Sequence, residues 1–507
     1  MSQGPTRPSS PFTTETNHLH SPIIRDLPIE VLCKIFQAYL PEDLSVPKRH
    51  HYFPRDRLSR IAFPLKLGAV CRTWRQAAWS TPSLWTRIYV NLVDKKAAYL
   101  ENQRDILEKW VQRSGSLPVD VYVSEDCGTF RNDPDPPAGL ACLRVLMQCA
   151  DRWRDVDLHP RRRSIRYLFS QAAEIVPRTI KLRNIVITRP NEDRGSRGGK
   201  PDSGSMLDAW SHCSLRPQQL EIDGRCWPGR SDNLDWSSLT NLRATFWTRD
   251  EFLDVLRHAP NLHSCHLEHL SGPDATTISS ESHVQHDRIQ QLSINFWDRA
   301  DTIVDFITTP NLRDFQCDSS RDVNMSLSTF FARSSFPLTR LDLCLGSYTS
   351  TSLISLLDMV PLLEHLTLSM KSSDEAVIGS LIKHLSTTTM SPCTSEVDDA
   401  DVRYFQNSTN GFLPRLECLI FKGEFRFPWS SADHALGLPS NFGKPGWRPL
   451  KSLIVQHRSE AALPENWVDR DTVARLIELR NVGAAIAYDV VGRDRQITFI
   501  VNWEDYL

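Results

Sequence analysis

One short pattern, L-x-x-L-x-L, returns beyond residue 180 of this 507-residue chain and limits what the chain can fold into. Clear copies read PNLHSCHL at 260–267, PNLRDFQC at 310–317, PLLEHLTL at 361–368 and PRLECLIF at 414–421. Weaker copies are RPQQLEI at 216–222, RIQQLSI at 288–294, PLTRLDL at 337–343 and RPLKSLIV at 448–455, with KLRNIVI at 181–187 as an earlier one. Apolar residues make up 40% of the chain, so a single copy carries no weight and spacing decides. Central positions fall at Ile185, Leu220, Thr245 (a poor copy), Cys265, Leu292, Phe315, Leu341 and Leu366. From Leu220 the steps are 25, 20, 27, 23, 26 and 25 residues, and Leu419 and Leu453 follow after longer gaps.

A period of 20–29 residues is that of a leucine-rich repeat. The intervening segments TRDEFLDVLRHAP, RADTIVDFITTP and TSTSLISLLDMVP each carry a short helical apolar pattern ending near Pro. Each unit then reads strand, turn, helix, return. One such unit cannot bury its apolar face alone, whereas stacked units share a continuous core. The expected fold class is α/β: a small N-terminal helical module, then an irregular leucine-rich-repeat solenoid, a horseshoe with a parallel concave sheet. The repeats lack an Asn after the strand, so the backbone hydrogen bonds of an Asn ladder must be met in another way. Polar inserts near 189–205 and 386–410 interrupt the period and are expected to be flexible.

Ahead of the repeats, DLPIEVLCKIFQAYLP predicts a helix. Pro28 is placed at the first helical position, where its missing N–H costs nothing, and Glu30 favours the helix dipole. Val31, Leu32, Ile35, Phe36, Tyr39 and Leu40 are expected on one face. After a basic stretch from Glu42 to Arg60, the residues Leu67, Val70, Cys71, Trp74 and Ala78 fit one face of a second helix. TPSLW follows, with the order of a helix start, and Ile88, Val90 and Leu92 alternate as a strand. A longer helix is expected from Asp94 to Arg113, with Ile106, Leu107, Trp110 and Val111 inward. The resulting division is a disordered tail at 1–20, a helical domain at 21–92, a linking segment at 93–160 that starts the solenoid, and the repeat domain at 161–507.

Composition narrows the function. The formal charge is −2, which gives no basic excess for nucleic acid as the main partner. No apolar run reaches the ~20 residues of a bilayer span, and the N-terminus lacks a signal-type apolar region. The 12 cysteines are scattered with no C-x-x-C pair. A cytoplasmic or nuclear protein with reduced cysteines is expected. No G-x-S-x-G, H-E-x-x-H or EF-hand pattern is present, and RPNEDRGSRGGK does not match a phosphate loop. The reading is non-enzymatic, with no cofactor.

LPIEVLCKIF, VCRTWR and TPSLW together resemble the F-box, especially the version in large fungal families, where similar strings precede a W-x-x-R-S-G helix end and a leucine-rich array. Here that string is WVQRSG at 110–115. The gap between Phe36 and Val70 is longer than in compact F-boxes, which makes HHYFPRDRLSR an inserted loop. The resemblance implies a substrate-recognition adaptor of an SCF-type ubiquitin ligase, serving ubiquitin-dependent protein degradation. It would dock on a Skp-type subunit of a cullin-RING ligase and hold an unknown protein substrate on the repeats. The adaptor contacts it implies are Leu27, Pro28, Val31, Ile35, Val70, Trp74, Leu84 and Trp85, some of which must instead pack inside the module. The alternative is a leucine-rich-repeat scaffold acting outside a ligase.

Strand alternation points His266 and Glu268 to the concave face, and with them Ser293, Asn295, Asp342, Thr367 and Lys422. His266, Glu268, Asn295, Asp342 and Lys422 are the candidate substrate-facing residues; plain solvated strand positions are the competing reading. HSCHLEH suggests a metal, yet alternation puts Cys265 on the opposite sheet face from His266, so no metal site is expected.

Overall fold

A computed structural model of the chain describes residues 27–39, 63–92, 97–125, 137–159, 164, 167–168, 179–187, 214–223, 234–270, 283–296, 303–318, 324–345, 348–370, 375–387, 411–423, 427–431, 436, 450–458, 468–491 and 497–500. The expected tail at 1–20, the insert at 189–205 and most of that at 386–410 lie outside the described residues. The chain divides into two compact units, Met1–Leu215 and Arg216–Leu507. The fold is mixed α/β with parallel strands and N-terminal helices.

Among the described residues of the first unit three short helices come first: α1 (Ile29–Ala38), α2 (Phe63–Val70) and α3 (Arg72–Trp79). A 3-10 turn (Pro82–Trp85), β1 (Arg87–Asn91), α4 (Ala97–Arg113), β2 (Val119–Ser124), α5 (Pro137–Met147), β3 (Trp153–His159) and β4 (Thr179–Ile187) follow. Strands β1 to β4 pair in sequence order, all parallel, with Ile88, Val121, Val156 and Ile185 in register and buried. Ile106 is exposed on α4, contrary to expectation, while Leu107 and Trp110 are buried. The helix ends at Arg113, and Gly115 beyond it, with a φ of 59°, suits the left-handed residue past a helix terminus.

The expectation of one helix through Leu67–Ala78 is not met. Cys71 is extended (φ −157°, ψ 176°), and its sulfur accepts from Trp74 N–H at 3.5 Å, capping α3. Side-chain capping thus breaks an apolar periodicity that runs unbroken in the sequence. Pro28 stands one position earlier than expected, at the N-cap, where its carbonyl accepts from Val31 and Leu32.

In the second unit the order is β5 (Ser214–Asp223), β6 (Asn241–Thr245), α6 (Arg249–His258), β7 (Ser264–Leu270), β8 (Val284–Gln285), β9 (Gln291–Phe296), β10 (Ile307–Thr308), β11 (Asp314–Asp318), α7 (Asn324–Ser334), β12 (Arg340–Leu345), α8 (Ser350–Asp358), β13 (His365–Met370), α9 (Glu375–Thr387), β14 (Cys418–Gly423), β15 (Ser452–Arg458), α10 (Arg470–Asn481), β16 (Ala485–Val491) and β17 (Ile497–Ile500). The main strands pair in sequence order and parallel, except the antiparallel β17; β8 and β10 form a separate two-stranded pair. One row of buried residues crosses the sheet: Leu220, Leu242, Cys265, Leu292, Phe315, Leu341, Leu366, Leu419, Leu453 and Ile486. Leu242, not Thr245, occupies the second place. The poor copy was a frame error of three residues.

Two helices of the second unit open on capping boxes. Thr248 and Glu251 make a reciprocal capping box on α6, and Thr349 with Ser352 makes another on α8. Of the segment RADTIVDFITTP, expected as a helix, the described residues form a 3-10 turn (Ile303–Phe306) followed by β10.

Seven of the strand starts, those of β7, β9 and β11 to β15, share one device. The N–H groups of His263 and Ser264 both donate to the Thr240 carbonyl, and those of Gln290 and Gln291 to His263. The same doublet recurs at Arg313/Asp314, Thr339/Arg340, Glu364/His365, Glu417/Cys418 and Lys451/Ser452, with lengths between 2.8 and 3.1 Å. Side chains ahead of the strands add to it: Asn261 donates to the Ser237 carbonyl and Asn311 to that of Asp287, each at 2.7 Å. Backbone doublets and the Asn of P-N-L therefore satisfy backbone groups at the strand starts, the end opposite to that of an Asn after the strand.

Phe315 is fully buried between strand and helix, its ring 5.7 Å from Phe330 and 6.0 Å from Phe331. Phe315→Ala should destabilise the second unit by about 3–5 kcal/mol. Denaturant unfolding followed by tryptophan fluorescence checks this, and an unchanged midpoint would contradict the packing.

Candidate docking face and open sheet face

Helix α1 splits the apolar set that its periodicity placed on one face. Leu32 and Phe36 are buried, and Phe36 meets Trp74 edge-on at 5.0 Å. Val31, Ile35 and Tyr39 stay exposed, at 39%, 46% and 75%. On α2 Val70 is 60% exposed, and Leu65 beside Lys66 is exposed too. Of the eight residues expected at the docking surface, Val31, Ile35, Val70 and Pro28 are exposed, while Leu27 and Trp74 are half-buried.

Leu84 and Trp85 are interior, at 3% and 0% exposure, so burial removes both from the exposed docking surface. Trp85 Nε1–H donates to the Ala78 carbonyl at 2.8 Å, and its ring meets Trp110 of α4 at 4.7 Å. The Arg113 guanidinium lies 4.6 Å from the Trp85 ring and 4.3 Å from that of Trp79. Burial holds the Arg113 pKa below its ordinary value. Arg113 belongs to the WVQRSG string, which therefore ties the N-terminal helices to α4. Tyr39, Leu65 and Trp79 were missed as exposed apolar residues; periodicity marks an apolar helix face without saying how much of it another element covers.

In the second unit, strand residues that alternate with the buried row form a polar face. His266 Nε2–H donates to Glu268 Oε1 at 2.8 Å, and Arg243 Nη2 reaches the same oxygen at 2.6 Å. Arg243 also lies 3.6 Å from Glu221. The hydrogen bond from His266, reinforced by Arg243 and opposed by burial, lowers the Glu268 pKa to about 2. Lys422 stands 3.7 Å from Asp342, whose pKa burial raises against the pull of that ammonium group. Asn295 joins neither pair and donates to Asp318 at 3.5 Å. Arg243 was overlooked because the poor copy was read three residues out of frame. Cys265 is buried on the opposite side, and burial pushes its thiol pKa up. Among the described residues no group of His, Cys, Asp and Glu is arranged to hold a metal ion, and no helix is long and apolar enough to cross a membrane.

Since the folded pKa of Glu268 lies below its unfolded value of about 4.3, its charge stabilises the fold above that value. The contribution is lost as pH falls toward about 2. Glu268→Gln should lower the melting temperature at pH 7, and the difference from the parent should narrow below about pH 4 and close as the pH nears about 2. Melting curves across pH 2–7 check this; a difference independent of pH would contradict it.

A family model described as F-box-like matches residues 24–91. No curated protein matches the chain. The match covers α1, α2, α3, the 3-10 turn and β1, so the chain carries an F-box-like domain at its N-terminal end.

Proposed function

We propose that this protein is the substrate-recognition subunit of an SCF-type ubiquitin ligase, docking on a Skp-type subunit through its F-box-like domain and holding a protein substrate on the second unit. One observation carries the docking half: Val31, Ile35 and Val70 remain exposed on helices whose other faces are packed, inside the segment that matches the F-box-like family. An exposed apolar set of this kind marks a surface that a partner covers. The role is proximity rather than chemistry: holding substrate beside the transfer machinery raises its effective concentration.

For the substrate half we read the second unit as an irregular leucine-rich-repeat array of the kind that follows the F-box in fungal families. The in-order parallel strands and the single buried row support that reading. The polar face bearing His266, Glu268, Asn295, Asp342 and Lys422 is then the surface offered to substrate. The proposed setting is the cytoplasm or nucleus.

Point variants test docking better than removal of 21–92, because Trp85 and β1 are built into the core around α4 and β2. Val31→Glu with Ile35→Glu should weaken binding to a recombinant Skp-type subunit by about a hundredfold, since each would bury an unpaired charge. Circular dichroism and melting should stay unchanged. Undiminished binding would sink the docking assignment. Loss of adaptor binding by the parent, with a partner still captured by the second unit, would favour a scaffold outside the ligase.

A further inference from the structure

Charge is unevenly spread along the chain. Over residues 24–91 Lys and Arg number eleven against five Asp and Glu, whereas the whole chain carries 59 against 61. Among the described residues of that stretch Glu30 is the one acid. Six of the eleven bases lie outside the described residues; among the described ones, Lys34, Lys66 and Arg75 sit beside exposed apolar side chains. Lys34 adjoins Ile35 and is one turn from Val31, and Lys66 adjoins Leu65 and is one turn before Val70. Arg75 is one turn before Trp79, with its guanidinium 6.0 Å from that ring and its Nε–H donating to the Gly68 carbonyl at 2.7 Å. Lys34, Lys66 and Arg72 are exposed and form no ion pair among the described residues.

A solvated surface that served only solubility would mix both signs. An apolar face edged by one sign selects for its complement. We propose that the docking face takes an acidic partner: an adaptor subunit whose apolar groove is rimmed by Asp and Glu, drawn in by Lys34, Lys66 and Arg72. This deepens the adaptor reading above and rests on it. Among the described residues an anionic membrane is the poorer fit, because there one base flanks each apolar pair without forming the contiguous basic cluster that lipid headgroups require. Complementary charge acts mainly on the rate of encounter, and salt screens it.

The test is stopped-flow association of the full chain with a recombinant Skp-type subunit as salt rises from about 0.05 M to about 0.5 M NaCl. The association rate constant should fall about tenfold or more, with the dissociation rate nearly constant. Lys34→Glu, Lys66→Glu and Arg72→Glu together should slow association about tenfold at low salt and flatten its salt dependence. The triple Gln variant should lie between, and circular dichroism verifies that each is folded. Complex formation that ignores both salt and charge reversal would overturn the acidic partner and leave the adaptor reading standing. No complex at any salt would overturn both. Capture by phosphatidylserine–phosphatidylcholine vesicles in place of the subunit, with loss on charge reversal, would assign the bases to a membrane and overturn the proposal.

Discussion

Two neighbouring amides converging on one carbonyl fix where seven strands of the second unit begin, β7, β9 and β11 to β15, and the rest of that unit depends on it. The doublet repeats from Thr240 to Lys451. Because it clamps the start of a strand to the start of the previous one, register does not depend on what lies between. Leu366 and Leu419 are paired across a gap of 53 residues as faithfully as Leu341 and Leu366 across 25. Loop-closure entropy grows slowly with length, so a long insert between clamped starts is tolerated. A one-residue slip would send every inward side chain to the polar face, which the buried row from Leu220 to Ile486 opposes.

This explains which parts of the fold were legible. The inward pair of L-x-L recurs with a period that no isolated helix or hairpin produces, so the order of parallel strands could be read wherever the pair is strongly apolar. It failed where the inward residues are small or mixed. In NLRAT the pair is Leu242 and Ala244, and the weak second member shifted the frame to Thr245. In AIAYDVV the strand carries Ile486 and Tyr488 without a leucine and was not seen. The frame shift concealed Arg243 and with it the pairing that holds Glu268 and His266 together. Helices were legible where a side-chain cap accompanies the apolar pattern, as at Thr248. They were misjudged at Ile303–Phe306, which closes as a 3-10 turn.

The F-box-like module was legible as a module and not as a surface. Its three sequence pieces mark the helices, but α1 is apolar over more of its circumference than its neighbours cover. Leu32 and Phe36 face the interior; Val31 and Ile35, each one residue earlier in the chain, do not. No periodicity distinguishes these pairs, because both lie within one broad apolar stripe. Only the position of Trp74 against Phe36 decides.

That asymmetry separates folding from docking. Burying an apolar side chain contributes about 1.5–3 kcal/mol, and Leu84, Trp85, Leu32 and Phe36 supply this inside the module. Arg113 adds a cation between Trp79 and Trp85, so the module is packed onto α4 instead of hanging from a free linker. Val31, Ile35 and Val70 contribute little to that packing and would gain most by being covered. Their apolar character is therefore better accounted for by association than by the fold. The bases beside them then bear on which partner can approach, because a cation next to an apolar face disfavours a partner of the same sign and accelerates encounter with one of opposite sign.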